Sequence, residues 1–145
     1  MPADPALRPF RPHLARIVAW ALVVLVLAAT GVLVALMPDL TALDRTGFVL
    51  LGLLIAWFCW RQASVAAVPD ERGLTVRNLL VTTHLQWEQI VSVRFGDRPW
   101  VQLDLADGDT LAVMGVQRAD GERANAEARR LATLVAARSR GLPDD

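Results

Sequence analysis

Among its 145 residues the chain has no lysine, a single cysteine and two histidines. The lone cysteine, Cys59, excludes a disulfide framework and any Cys-x-x-Cys metal site. Its place inside an apolar run makes it a small packing residue rather than a reactive thiol. All 15 basic residues are arginine, a pattern of GC-rich coding rather than of ligand binding. Net charge is absent too, with 15 basic residues against 15 acidic ones. From Arg61 onward 11 arginines face 12 acids, so the C-terminal part has no basic surplus to offer nucleic acid. No nucleophile elbow surrounds Ser64 or Ser92, and no catalytic constellation is visible.

What the chain has instead is long stretches without charge. Ile17 to Met37 is a run of 21 such residues, and Thr46 to Trp60 follows after an eight-residue connector. As a helix the first run is about 31 Å long, close to the hydrocarbon thickness of a bilayer. A span must satisfy its own backbone in hydrocarbon, so it is expected to be helical. The second run is shorter, about 22 Å, and needs residues from Leu40–Leu43 or Ala63–Val68 to cross. A cleavable signal peptide is the competing reading of the first run, but its apolar core is normally shorter. A retained hairpin is expected, with spans at about 17–37 and 44–62. Pro38 ends the first helix, and Asp39 or Asp44 caps the second.

Arg8, Arg11 and Arg16 outweigh Asp4 before the first span, Arg61 follows the second, and the connector is slightly acidic. The positive-inside rule then places both termini in the cytoplasm. Trp20, Trp57 and Trp60 would share one interface, with Arg16 and Arg61 as flanking anchors. Gly31, Gly47 and Gly52, with Ala28 and Ala56, offer small surfaces for helix contact. Residues 1–16, with four prolines, read as a disordered cytoplasmic tail.

From Ala63 the periodicity becomes two. Leu74-Thr-Val76, then Leu79, Val81, Leu85 and Trp87, then Val91, Val93 and Phe95 alternate with polar residues as half-buried strands do. Val101-Gln-Leu103-Asp-Leu105 and Thr110-Leu111-Ala-Val113 flank Asp107-Gly108, a strong hairpin signal. About six to seven short antiparallel strands predict a small barrel or sandwich over residues 63–145. Ala124, Ala128, Leu131, Ala132 and Val135 then recur at helical spacing. This predicts a helix at about 120–139, capped by Asp120 and stopped by Gly141 and Pro143, which closes one end of the sheets.

Glu71-Arg-Gly-Leu-Thr-Val-Arg77, Leu85-Gln-Trp-Glu-Gln-Ile-Val-Ser-Val93 and Leu103 to Val113, leading into Arg118–Arg123, carry a resemblance. The chain resembles the bacterial pleckstrin-homology (PH) membrane proteins of the low-molecular-weight antigen 6 type. The resemblance implies a PH-like barrel or sandwich after a two-helix transmembrane hairpin, a binding or scaffold role, and no catalytic residues. Eukaryotic PH domains that bind phosphoinositides place a basic cluster in the first strand–strand loop. Here Pro69–Gly73 holds Asp70 and Glu71 against Arg72, which argues against that ligand.

Few residues invite a functional reading. Asp104, Asp107 and Asp109 fit a hairpin turn better than a calcium site. His84 has no evident acid–base partner and reads as a solvent-facing strand residue. Arg94, Arg98 and Trp100, around the loop Gly96–Pro99, form the best candidate for gripping a peptide or an anionic group, with Arg77 as a further cation. The alternative is that Trp100 packs as core and Arg98 pairs with Asp97. The expected molecule is thus a non-catalytic, multi-pass cell-membrane protein without cofactor or metal. It would hold a protein or peptide partner at the cytoplasmic face, with anionic-lipid recognition as the rival reading.

Overall fold

A helix persists wherever apolar residues run on without a breaker, and two do so here before the first strand forms. The structure, a computed structural model, describes residues 4–140. Helix α1 spans His13–Leu36 and helix α2 spans Ala42–Ala63, and both are long and apolar enough to cross a membrane. The turn at Pro38 ends α1. Helix α2 starts at neither expected aspartate: Thr41 is its N-cap, with its hydroxyl accepting from the Asp44 N–H at 3.1 Å. The Asp44 carboxylate in turn accepts from the Thr41 N–H at 3.3 Å, a reciprocal capping box. This cap draws Ala42 and Leu43 into α2 and lengthens the shorter run to 22 residues.

The chain forms two compact units. One is Ala15–Ser64; among the described residues the other comprises 4–14 together with 65–140. Of the three glycines in the first unit, Gly52 is the one that lies against the other helix. A Cβ there would collide with the Thr30 side chain, whereas Gly31 and Gly47 face open space. Gly52→Leu is therefore expected to push α1 and α2 apart by about 2 Å or more, since interaxial distance follows contact side-chain size. Spin labels on the two helices, compared with Gly47→Leu, would measure it; equal distances in both variants would refute the contact.

In the second unit, β1 (Ala66–Pro69), β2 (Gly73–Arg77) and β3 (Thr82–Gln86) form one antiparallel sheet. Strands β4 (Ile90–Arg94), β5 (Trp100–Leu105) and β6 (Thr110–Gln117) form another, also antiparallel. Helix α3 (Glu122–Arg140) follows. Alternation explains the core: Leu74 and Val76, Val101 and Leu103, Val113 and Trp87 are all buried. Helix α3 adds Ala124, Ala128, Leu131, Leu134 and Val135, with Leu134 taking the core place expected of Ala132. Gly141 and Pro143 lie outside the described residues.

The expected barrel does not form: the six strands make two separate three-stranded sheets that do not close on each other. Between β3 and β4 a helical turn, Trp87–Gln89, interrupts the ladder. On the other side no ladder joins β1 to β6. The Asn78 side chain, in the β2–β3 connection, ties that hairpin to β6, donating to the Ala112 carbonyl at 2.7 Å and accepting from the Met114 N–H at 3.1 Å.

The free edge of β1 is occupied from within the chain, by residues expected to be disordered. Phe10 and Ala67 exchange backbone hydrogen bonds of 2.7 and 2.9 Å, and the Phe10 ring is fully buried in the core. Its guanidinium neighbour, Arg130 of α3, stacks 3.8 Å from the ring centroid and donates to the Arg8 carbonyl at 3.0 Å. The prolines that suggest disorder instead stiffen an extended strap, with Pro5 starting a helical turn and Pro12 buried. Asp120, expected to cap α3, accepts instead from the His13 and Leu14 N–H groups, each at 2.8 Å. Gly121, at φ +60°, turns the chain before α3 begins, so the Asp120 carboxylate is not the cap of the helix that follows it.

Candidate partner-binding cleft

Strands β4 and β5 are joined by residues 95–99, too many for a tight turn, and the extra length opens a cleft at their end. It measures about 880 Å³, and its lining includes Arg94, Phe95, Arg98, Trp100 and Gln102. Three of the four cations and aromatics singled out from sequence thus meet in one place. Arg77 does not join them: it ends β2 in the other sheet, opposite Ala66 and Thr82.

The cleft's two arginines are in different states. Arg94 Nη2 lies 2.6 Å from Asp104 Oδ1 and its Nε 2.8 Å from Oδ2, a bidentate pair across the β4–β5 register. The Ser92 hydroxyl donates to the same carboxylate. Arg98 makes no ion pair or hydrogen bond among the described residues, with Asp97 or any other group. Trp100 is half-buried, not core. Its strand neighbour Val101 takes the interior position, and the indole is left at the cleft wall.

The hydrogen bonds donated by Arg94, and then the one from Ser92, hold Asp104 below its ordinary value of 3.8. A depressed folded-state value means that the pair's contribution is complete above that ordinary value and is lost as pH falls through the depressed one. We expect the Asp104 carboxyl resonance to titrate below pH 3.8, and Arg94→Gln to move its midpoint up toward that value. Arg94 is exposed and Asp104 partly so, which leaves the pair screened by solvent, and the effect on global stability should be small. An unmoved midpoint would show that the pair does not persist in solution.

The other candidates serve the fold. The Asp107 carboxylate accepts from the Asp109 N–H at 2.9 Å, and Gly108 takes φ +91°, so this is the expected hairpin turn. His84 Nδ1 lies 3.0 Å from the Thr75 hydroxyl of its cross-strand partner. The Asp70 carboxylate accepts from the Arg72 and Gly73 N–H groups, which explains an acid in the first loop. Its carbonyl accepts from the buried Trp87 indole at 3.1 Å. In the Ala15–Ser64 unit, Trp20, Trp57 and Trp60 are each about half exposed, at similar chain distances from the connector. Arg16 lies near the start of α1 and Arg61 in the last turn of α2.

Comparison with known proteins agrees with this geometry. The bacterial PH domain family model matches residues 65–133. An uncharacterised protein of Mycobacterium tuberculosis is 33% identical over 94 residues, covering 64% of this chain and 61% of that protein. Low molecular weight protein antigen 6 of the same organism is 32% identical over a match covering 48% of this chain and 76% of its own length. The chain belongs to the bacterial PH-domain family, antigen 6 type. It spans 61% of the length of the first of these relatives. No solved structure shows a significant match.

The PH family match begins at residue 65, after the strap that completes the PH-like unit here. Phe10, Pro12, Asp120 and Arg130 are functional to the fold and were not legible as such. The one local sign was an aromatic and two leucines, Leu7, Phe10 and Leu14, set among prolines.

Proposed function

We propose that this PH-family protein is a membrane-anchored, non-catalytic binding module at the cytoplasmic face, whose β4–β5 cleft holds an acidic segment of a protein partner. The observation that carries this reading is the pairing of an uncommitted guanidinium, Arg98, with an indole, Trp100, at the wall of one cleft. A carboxylate reaching Arg98 forms a charge-assisted hydrogen bond, and the indole face packs the peptide stem beside it. Arg94 is neutralised by Asp104 and shapes the site rather than charging it. The first loop, with Asp70 folded onto its own backbone, offers an anionic headgroup little. The hairpin supplies membrane residence, which raises the effective concentration toward partners in the same membrane.

The strap supports the expected sidedness. Phe10 precedes the first apolar helix and Ala67 follows the second, yet they are hydrogen-bonded in one unit. If the helices span, an even number of crossings must separate them, as a hairpin provides. A photo-crosslinking residue at Gln102, in native membranes, tests the cleft. Adducts are expected to disappear with Arg98→Glu and to survive Arg77→Glu; adducts indifferent to Arg98→Glu would refute the assignment.

A further inference from the structure

Outside the two apolar helices, few large hydrophobic side chains of the described residues are strongly exposed, and two of them are adjacent. Leu80 is 70% and Val81 63% exposed, at the tip of the β2–β3 hairpin. A single exposed leucine needs no explanation, but two neighbours on a held tip are a different matter. The tip is held by the Asn78 N–H donating to the Val81 carbonyl at 2.9 Å. The Asn78 side chain also bonds the β6 backbone at residues 112 and 114. The side chains are therefore presented by a fixed turn.

The register says what they are presented to. Arg77 pairs with Ala66, so the tip lies just beyond the end of the sheet at which the chain enters β1. Helix α2 ends at Ala63, three residues earlier, and three residues of chain reach at most about 11 Å. Ala66 therefore stays within that reach of the end of α2, the end at which the expected span meets the interface. The stretch Arg77-Asn-Leu-Leu-Val-Thr-Thr-His84 carries one arginine and no acid. An apolar tip with a flanking cation is the chemistry of the interfacial layer, where side chains enter the acyl boundary and a guanidinium meets lipid phosphate.

We infer that Leu80 and Val81 dip into the interfacial layer of the bilayer that anchors the chain, with Arg77 on the phosphates. The tip makes a further point of attachment, which would restrict how the PH-like unit swings on its tether. This inference rests on the reading of α1 and α2 as membrane spans, and its test separates the two.

Full-length protein in a Cys59→Ala background is reconstituted in vesicles of phosphatidylcholine with a minority of phosphatidylglycerol. An environment-sensitive fluorophore is attached at one of four positions: Leu80→Cys, Val81→Cys, Asp107→Cys in the acidic β5–β6 turn, or Leu51→Cys within α2. Labels at 80 and 81 are expected to be quenched by a spin label high on the lipid acyl chain. They should also be protected from aqueous iodide by about threefold relative to 107. Arg77→Glu should reduce that protection; an unchanged value would remove Arg77 from the inference. Labels at 80 and 81 that match 107, with 51 still quenched from the lipid, would overturn the tip and leave the spans standing. A label at 51 open to iodide would overturn both.

Discussion

Phe10→Ala is expected to destabilise the PH-like unit by about 3–5 kcal/mol, the usual cost of removing a fully buried phenylalanine. The residue lies in a segment that sequence alone assigns to a disordered tail, so the size of the effect is diagnostic. In the folded unit the ring is fully buried with Leu74, Val113 and Leu131 in the same core. Its loss leaves a cavity under the β1 edge and removes the face on which the Arg130 guanidinium rests. Arg130 is then worse off still, because its Nε is already buried without a partner. Amide exchange of the full-length protein in detergent should show β1 and β2 opening far more readily in the variant. Protection unchanged from the parent would mean that the strap is not part of the unit.

The second large effect is expected at Gly115, which faces the strap from the opposite side. A Cβ at this position would lie 2.8 Å from both the Ala67 nitrogen and the Phe10 oxygen, the two atoms of one backbone hydrogen bond. These are backbone atoms, which cannot rotate aside as a side chain does. Gly115→Val should therefore force the strap and β1 away from β6 and cost about 3 kcal/mol through overpacking and a lost backbone bond. Gly96→Val is the control, since a Cβ there meets nothing and its effect should stay within about 0.5 kcal/mol. Equal stability of the two variants by denaturant unfolding would contradict the packing described.

How much of this was legible follows from the range over which each signal acts. Strand alternation is local, so Leu74 and Val76, Val101 and Leu103, and the Asp107–Gly108 turn could be read directly. The helical stripe from Ala124 to Val135 was equally plain. Pairing between sheets is not local. Period two says which residues face inward but not which edges meet, and a barrel is as consistent with it as the two separate sheets observed. The strap failed for the same reason: Phe10 has no periodic neighbours, and its partners Ala67 and Arg130 lie far along the chain. Asp120 reads as the cap of the helix that follows it, but its carboxylate serves one that begins 107 residues earlier, a separation no local signal spans.

The cleft shows a similar division. Arg94, Arg98 and Trp100 stood near one loop in sequence, and the β4–β5 hairpin brings them together. Arg77 could not be sorted from them without the strand order, which places it in the other sheet. The commitment of Arg94 to Asp104 was hidden as well, because it depends on a diagonal register across a bulged pair of strands.

The central claim is that one PH-like unit, made from both sides of a membrane hairpin, sits on a single face of the bilayer. Cysteine accessibility measures this most directly. In a Cys59→Ala background, Arg11→Cys and Asp107→Cys should react with a membrane-impermeant maleimide only after the cytoplasmic face is opened. Asp39→Cys, in the connector, should react from outside intact cells. Residues 11 and 107 reacting from opposite faces, or 39 reacting from the same face as both, would contradict the account.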